Sequence, residues 1–229
     1  MRNLLLITLA GTLLTLPLVA QSRGDYRDPA TTADQGWTVL FNGKDLSGFV
    51  VVLEGPDGKV KRYPAEALGQ QTTFTAENGL LKTTGTPTGY IRTAAVYDNF
   101  VFHVEARFLK FGNSGVLLHV QQDDVLPASI ECQLYYATMG RTFPLKGSKL
   151  DGGELIHYAS KPVGEWNTIE VTSEEGRLAT AINGTVVALA ANADPRVGYI
   201  CLQSEGAPVE FRNIKIKRFT PAHHLRPKP

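Results

Sequence analysis

The sequence predicts an all-β domain built as a sandwich or barrel, and three features carry that reading. Roughly ten to twelve short segments alternate apolar and polar residues with a period of two. Tight-turn pairs such as Asn42-Gly43, Asn78-Gly79, Glu175-Gly176 and Asn183-Gly184 separate them. Helical periodicity is almost absent, and many short strands with regular turns are the signature of sandwiches and barrels. No internal repeat or composition break divides the chain, so one domain over residues 36–219 is expected.

Residues 1–20 combine Arg2, an apolar run from Leu4 to Leu16 and a small residue at Ala20, the pattern of a secretory signal peptide. The run is too short to favour a membrane span. The protein is therefore expected to be secreted or periplasmic. Residues 21–35 are polar and turn-rich and read as a flexible lead-in. Trp37, Val39 and Phe41 alternate with Thr38 and Leu40, a strand that ends at Asn42-Gly43. Residues 54–70 read as an inserted loop with a helical turn at Ala65–Leu68, and Phe74 opens a strand pair around Asn78-Gly79. Phe100, Phe102, Val104, Ala106 and Phe108 face one way, with His103, Glu105 and Arg107 facing the other.

The stretch Asn113–Tyr136 is the centre of the argument. Val116, Leu118 and Val120 alternate with Leu117, His119 and Gln121; Ile130, Cys132, Leu134 and Tyr136 alternate with Glu131, Gln133 and Tyr135. If both strands share a sheet, His119, Glu131, Gln133 and Tyr135 lie on one surface. An imidazole, a carboxylate, an amide and a phenol together can bind a sugar or move protons. The plainer reading is a solvated outer face. The sugar-site reading requires His119 and Glu131 to project from a common surface.

Ala137 to Lys161 is a long glycine-rich connection, a length that inside a compact domain usually serves function. It carries Arg141, Lys146, Lys149, Asp151, Glu154 and His157. Residues 165–190 read as three strands with two tight turns. The Asn183-Gly184-Thr185 glycosylation triplet is read as a hairpin turn, and Trp166 as a buried anchor at a strand start. Two further strands flank Gly206-Ala207-Pro208. Residues 220–229 are expected to be a disordered tail, which leaves His223 and His224 without a role.

The formal charge is only +1, which argues against nucleic acid as a partner because phosphate binding needs a basic patch. Export would permit a disulfide, but if Gln203 points to the same surface as Gln133, Cys132 and Cys201 face opposite ways and cannot pair. Dinucleotide, phosphate-loop, nucleophile-elbow and HExxH motifs are absent. Asp123-Asp124 could ligate a cation such as calcium, against the plainer reading of a solvated loop tip. Rings for sugar stacking are available at Tyr90, Tyr135, Tyr136, Tyr158 and Trp166.

Several stretches are similar to one family. GWTVLFNGKDLSGF resembles the opening of the 3-keto-disaccharide hydrolases. Asn113-Ser114-Gly115, Glu131 with Gln133, Glu165-Trp166-Asn167, Asn183-Gly184 and Val209–Ile214 resemble its later signatures, in order, across residues 36–219. The resemblance implies a two-sheet jelly roll of the concanavalin A-like lectin and glucanase type. It also implies an exported protein cleaving glycosides already oxidised at C3. Two departures stand out: members often have histidine where this chain has Glu205, and arginine where it has His119. On this reading Glu131 or His119 is the base, and His157 and Glu205 support it. Gln133, Tyr135, Arg141, Gln203 and Glu154 hold the sugar, and a divalent cation could polarise the ketone. The alternatives are a non-catalytic carbohydrate-binding module and a plain interaction domain.

Overall fold

A computed structural model describes residues 36–221. The stretches expected to be a signal peptide and a lead-in, and most of the expected tail, lie outside the described residues. Sixteen strands, β1 to β16, form two antiparallel sheets. The larger sheet contains nine strands, with β1 (Trp37–Val39) on β16 (Val209–Arg218). Its remaining path runs β11 (Lys149–Gly152), β14 (Thr185–Asp194), β13 (Arg177–Ile182), β12 (Asn167–Glu174), β7 (Phe100–Phe108), β16, β5 (Leu80–Thr83) and β4 (Phe74–Glu77). The smaller has seven, ordered β10 (Thr142–Leu145), β9 (Ser129–Gln133), β8 (Gly115–Val120), β15 (Tyr199–Ser204), β6 (Gly89–Thr93), β2 (Phe49–Glu54) and β3 (Val60–Tyr63). This is the β-sandwich the alternation predicts.

The main core lies between the sheets. Phe100, Phe102, Val104, Ala106 and Phe108 of β7 all enter it, as expected. Their outward neighbours are tied across strands: His103 to Glu170 by a hydrogen bond, and Glu105 to Arg212 and Arg107 to Glu210 by ion pairs. Opposite-charge pairs across strands are the stable way to cover an outer sheet face. Trp166 departs from expectation. It is half-buried on this outer face between the guanidinium groups of Arg107 and Arg212, at 4.7 and 4.0 Å from its ring centroid. Cation–π contact holds it there instead of the core.

The long connection after β9 is also not a plain loop. Residues 142–145 extend the smaller sheet and residues 149–152 extend the larger, so one hairpin edge spans both sheets. The inserted region after β2 forms hairpin strand β3 and a 3-10 helix at Ala65–Gln70. Asn183 and Gly184 make the expected hairpin turn, both with positive φ. The Asn183 amide is fully engaged, with Ala159 O, Asn167 Oδ1 and the Thr168 N–H. Cys132 lies in the main core, while Cys201 belongs to a second apolar cluster on the other face of the same sheet. Both are free thiols.

That second cluster, formed by Val50, Val52, Tyr90, Leu117, Val120 and Cys201, makes the smaller sheet unusual. All six residues of β8 are buried. The β8–β9 connection folds over this outer face and is pinned by ion pairs. Buried Arg92 binds both oxygens of Asp123 at 2.7 and 3.1 Å, and Arg62 reaches Asp123 as well. Lys146 holds Asp124, whose N–H donates to the Tyr90 hydroxyl. The Asp123-Asp124 pair is therefore committed to cations of the protein itself, which overturns its reading as a calcium ligand.

Candidate functional site

Beside this covered patch, the outer face of the smaller sheet carries a cluster of acids and amides. Register places them. Gln133 on β9 lies opposite Gly115 on β8, and Glu131 opposite Leu117. On β15, Gln203 pairs with Tyr90 on one side, and the Leu202–Val116 pairing brings it beside Gly115 on the other. One step along, Asn113 bridges to Glu205. Ser114 turns inward and locks the rows together through Oγ to the Gln203 carbonyl at 2.9 Å.

Gly115 is the floor. A Cβ there would stand 2.2 Å from Gln203 Oε1 and 2.7 Å from Glu131 Oε1. The carboxylate and the amide thus converge over the one position that lacks a side chain. Glu131 is 4% exposed and Gln203 5%. Burial, reinforced by the nearby Glu205 carboxylate, pushes the Glu131 carboxyl up from 4.5 to about 7. Glu205 is also raised by burial, against a hydrogen bond from Asn113. Two acids raised in one hollow are the arrangement from which an acid–base pair is made.

The amides are poised as well. Asn113 Oδ1, Gln133 Oε1 and Gln203 Oε1 are buried without a hydrogen-bond partner. A buried polar atom left unpaired is costly, so three around one hollow point to a polar ligand. Arg141 flanks Gln133 at the sheet edge, over the Phe143 ring, and is held by Glu154 through two bonds of 2.9 and 2.8 Å. Tyr135 lies at the exposed end of β9.

The expected imidazoles are elsewhere. His119 does not join Glu131. It has φ +59, and between the pairs Val120–Tyr199 and Leu117–Cys201 two residues of β8 oppose one of β15. This β-bulge turns the side chain into the sandwich. There His119 is fully buried, 5.7 Å from the Phe100 ring and 3.1 Å from Ser173 Oγ. Burial lowers it to about 4, so it is a neutral core histidine. The requirement that His119 and Glu131 share a surface fails, so the sugar site drawn from strand alternation falls with it. His119 has no place in the hollow, and a sugar site here rests instead on Glu131, Glu205 and the amides around Gly115. His157 is exposed in the β11–β12 connection, whose neighbouring Ile156 N–H is anchored on Val187 of the larger sheet. No contact brings it to Glu131 or Glu205.

Sequence reasoning missed Asn113 as an amide of the site and Gly115 as its floor. The Asn113-Ser114-Gly115 triplet was the available signal, since a glycine opposite a polar strand residue marks a close approach. Among the described residues no three His, Cys, Asp or Glu gather to hold a metal. The two carboxylates and three free amide oxygens suit a hard, oxygen-seeking cation better than zinc.

Comparison with known proteins agrees with this picture. The sequence profile of the 3-keto-alpha-glucoside-1,2-lyase-like domain matches residues 36–217. A Parabacteroides distasonis protein titled "putative glycosyl hydrolase" is 24% identical, with a TM-score of 0.63 over 81% of this chain and 94% of its own. A second so titled from the same organism is 20% identical, with a TM-score of 0.59 over 80% and 99%. A family 7 alginate lyase, A1-II', solved in complex with substrate, is 10% identical with a TM-score of 0.52, covering 81% and 99%. No curated protein matches by sequence. The fold is the jelly-roll sandwich of the lectin and glucanase type.

Proposed function

The chain belongs to the 3-keto-alpha-glucoside-1,2-lyase-like family, and from that premise we propose that it cleaves 3-keto-glycosides by elimination and hydration. The observation that carries the reading is the Glu131 carboxyl, titrating at about 7 over the Gly115 floor beside Glu205. A C3 ketone acidifies the C2 hydrogen. Glu131 removes that proton, the C2–H electron pair forms the C1–C2 double bond, and the C1–O bond breaks. The departing oxygen takes a proton from Glu205, whose raised carboxyl retains one at higher pH than usual. Water then adds its oxygen to C1 while giving one proton to the Glu205 carboxylate, and Glu131 returns its proton to C2, leaving the free 3-keto sugar and both acids as they began. The unpaired Gln133 and Gln203 oxygens can accept from sugar hydroxyls and hold the ring over Glu131. A divalent cation held by the acids and amide oxygens would polarise the ketone oxygen. Arg141, Glu154 and Tyr135 would bound the sugar at the rim. The leader expected at residues 1–20 supports action outside the cytoplasm.

A non-catalytic carbohydrate-binding module is the second reading, favoured by the withdrawal of both His119 and His157. One variant separates them. Under the first reading Glu131→Gln abolishes release of the leaving group from a 3-keto-glucoside. Under the second, no release occurs from the unaltered protein, with or without divalent cations, and the variant keeps its affinity for sugar.

A further inference from the structure

The outer face holds a second feature, of which the chemistry above uses only Tyr135, at the rim. Phe111, Tyr136 and Tyr135 form a continuous aromatic run in the open, with Phe111 70% exposed. Ring centroids lie 4.8 Å apart for Phe111–Tyr136 and 4.8 Å for Tyr135–Tyr136. Successive rings tilt by 59° and 60°, so they make a fluted wall. Every other phenylalanine described is buried or half-buried. Exposed aromatic surface of this extent marks a contact site.

Its position says what it contacts. The wall starts where the acid–amide hollow ends. Tyr135 follows Gln133 by two residues, just beyond the end of β9, about 7 Å on. Leu134 N–H donates to Ser114 O, which sets Tyr135 beside Asn113, the partner of Glu205. Phe111 comes from the connection that also supplies Asn113. The Thr138 N–H donates to the Tyr135 carbonyl and the Ser160 hydroxyl donates to the Tyr136 carbonyl, which holds the wall in place. By this register the run begins beside Asn113, whose partner Glu205 is assigned to the departing oxygen, and leads away from Glu131, the base at C2.

Resting on the 3-keto-glycoside reading, we propose that Phe111, Tyr136 and Tyr135 form the leaving-group subsite. It takes a six-membered ring with a flat apolar face, either a second pyranose or an aryl group. Rings stack because sugar C–H faces and aryl faces both pack on aromatic side chains. The protein is thus a cleaver of disaccharides or aryl glycosides in preference to alkyl glycosides.

The experiment measures kcat/KM of the purified protein for three 3-keto-glucosides with methyl, glucosyl and phenyl leaving groups. It is repeated with Phe111→Ala, Tyr136→Ala and Phe111→Tyr, each checked by thermal melting. Loss of one stacking partner should lower the ratio of ring-bearing to methyl substrate about tenfold. Phe111→Tyr should restore the ratio. A drop confined to the glucosyl or to the phenyl substrate identifies which ring is bound. Ratios unchanged within about twofold, while wild type cleaves the methyl substrate, overturn the subsite and leave the reaction standing. No cleavage of any substrate overturns both.

Discussion

Replacing Glu131 by glutamine probes the electrostatics of the hollow through stability as well as activity. In the folded chain this carboxyl titrates at about 7 where an ordinary one titrates at 4.5, first because of burial and then because of Glu205. Between those values the folded protein keeps a proton that the unfolded chain has released, so stability falls as pH rises through that window. The loss is about 3 kcal/mol, at 1.36 kcal/mol per tenfold change. His119 works in the opposite sense. Its imidazole titrates at about 4 instead of 6.5, so the unfolded chain takes up a proton first and stability falls as pH drops below 6.5. That loss is also about 3 kcal/mol. In the wild type the two slopes largely cancel over the range they share. Glu131→Gln removes one of them. The variant's unfolding free energy minus the wild type's should grow by about 3 kcal/mol between pH about 4.5 and about 8. Urea melts across that range, read by tryptophan fluorescence, measure the difference. A difference independent of pH would refute the burial argument and, with it, the acid–base assignment.

Other outcomes follow from the same geometry. Gly115→Ala should leave the fold intact, because the added methyl meets only the ends of Gln203 and Glu131. It should lower turnover of a 3-keto-glucoside at least about tenfold by prising them apart, with Tm moving by only a few degrees, as activity assay and calorimetry would show. Asp123→Ala strands the Arg92 guanidinium, which is 3% exposed, and should cost about 3 kcal/mol in a urea melt. Cys132 and Cys201 are buried, with the Cys132 thiol pushed up to about 12. Neither should react with iodoacetamide in the native protein, and both should react in guanidinium.

How much of this was legible depends on where alternation held. The inward row of β7 and the opposed cysteines follow from a period of two, and both are found. The Asn183-Gly184 turn follows from positive φ, which those residues tolerate. Glu131, Gln133 and Gln203 share a surface for the same reason. His119 failed because one extra residue in β8, opposite Ile200, breaks the parity. Leu117, Leu118 and Val120 are apolar on both sides of it, so nothing in the sequence marks the slip. Strands β10 and β11 were missed because each has only four residues, with Pro144 inside one and glycines around both. The pairing of Arg107 and Arg212 around Trp166 brings together residues far apart in sequence. Alternation within one strand gives no sign of it.

The division of apolar residues between two separate deposits carries one more consequence. The smaller deposit is roofed by the segment from Gln121 to Ala128, fastened by a handful of ionic and hydroxyl bonds to Arg62, Arg92, Lys146 and Tyr90. Such a roof can lift while the sandwich stays shut, so its amides should exchange with solvent well before those of β8 beneath it. Since the roof supplies nothing to the larger deposit, relatives that keep an acid for Arg92 can lengthen or rewrite the remainder. They would thereby reshape the ground next to Glu131 without retooling the rest of the molecule.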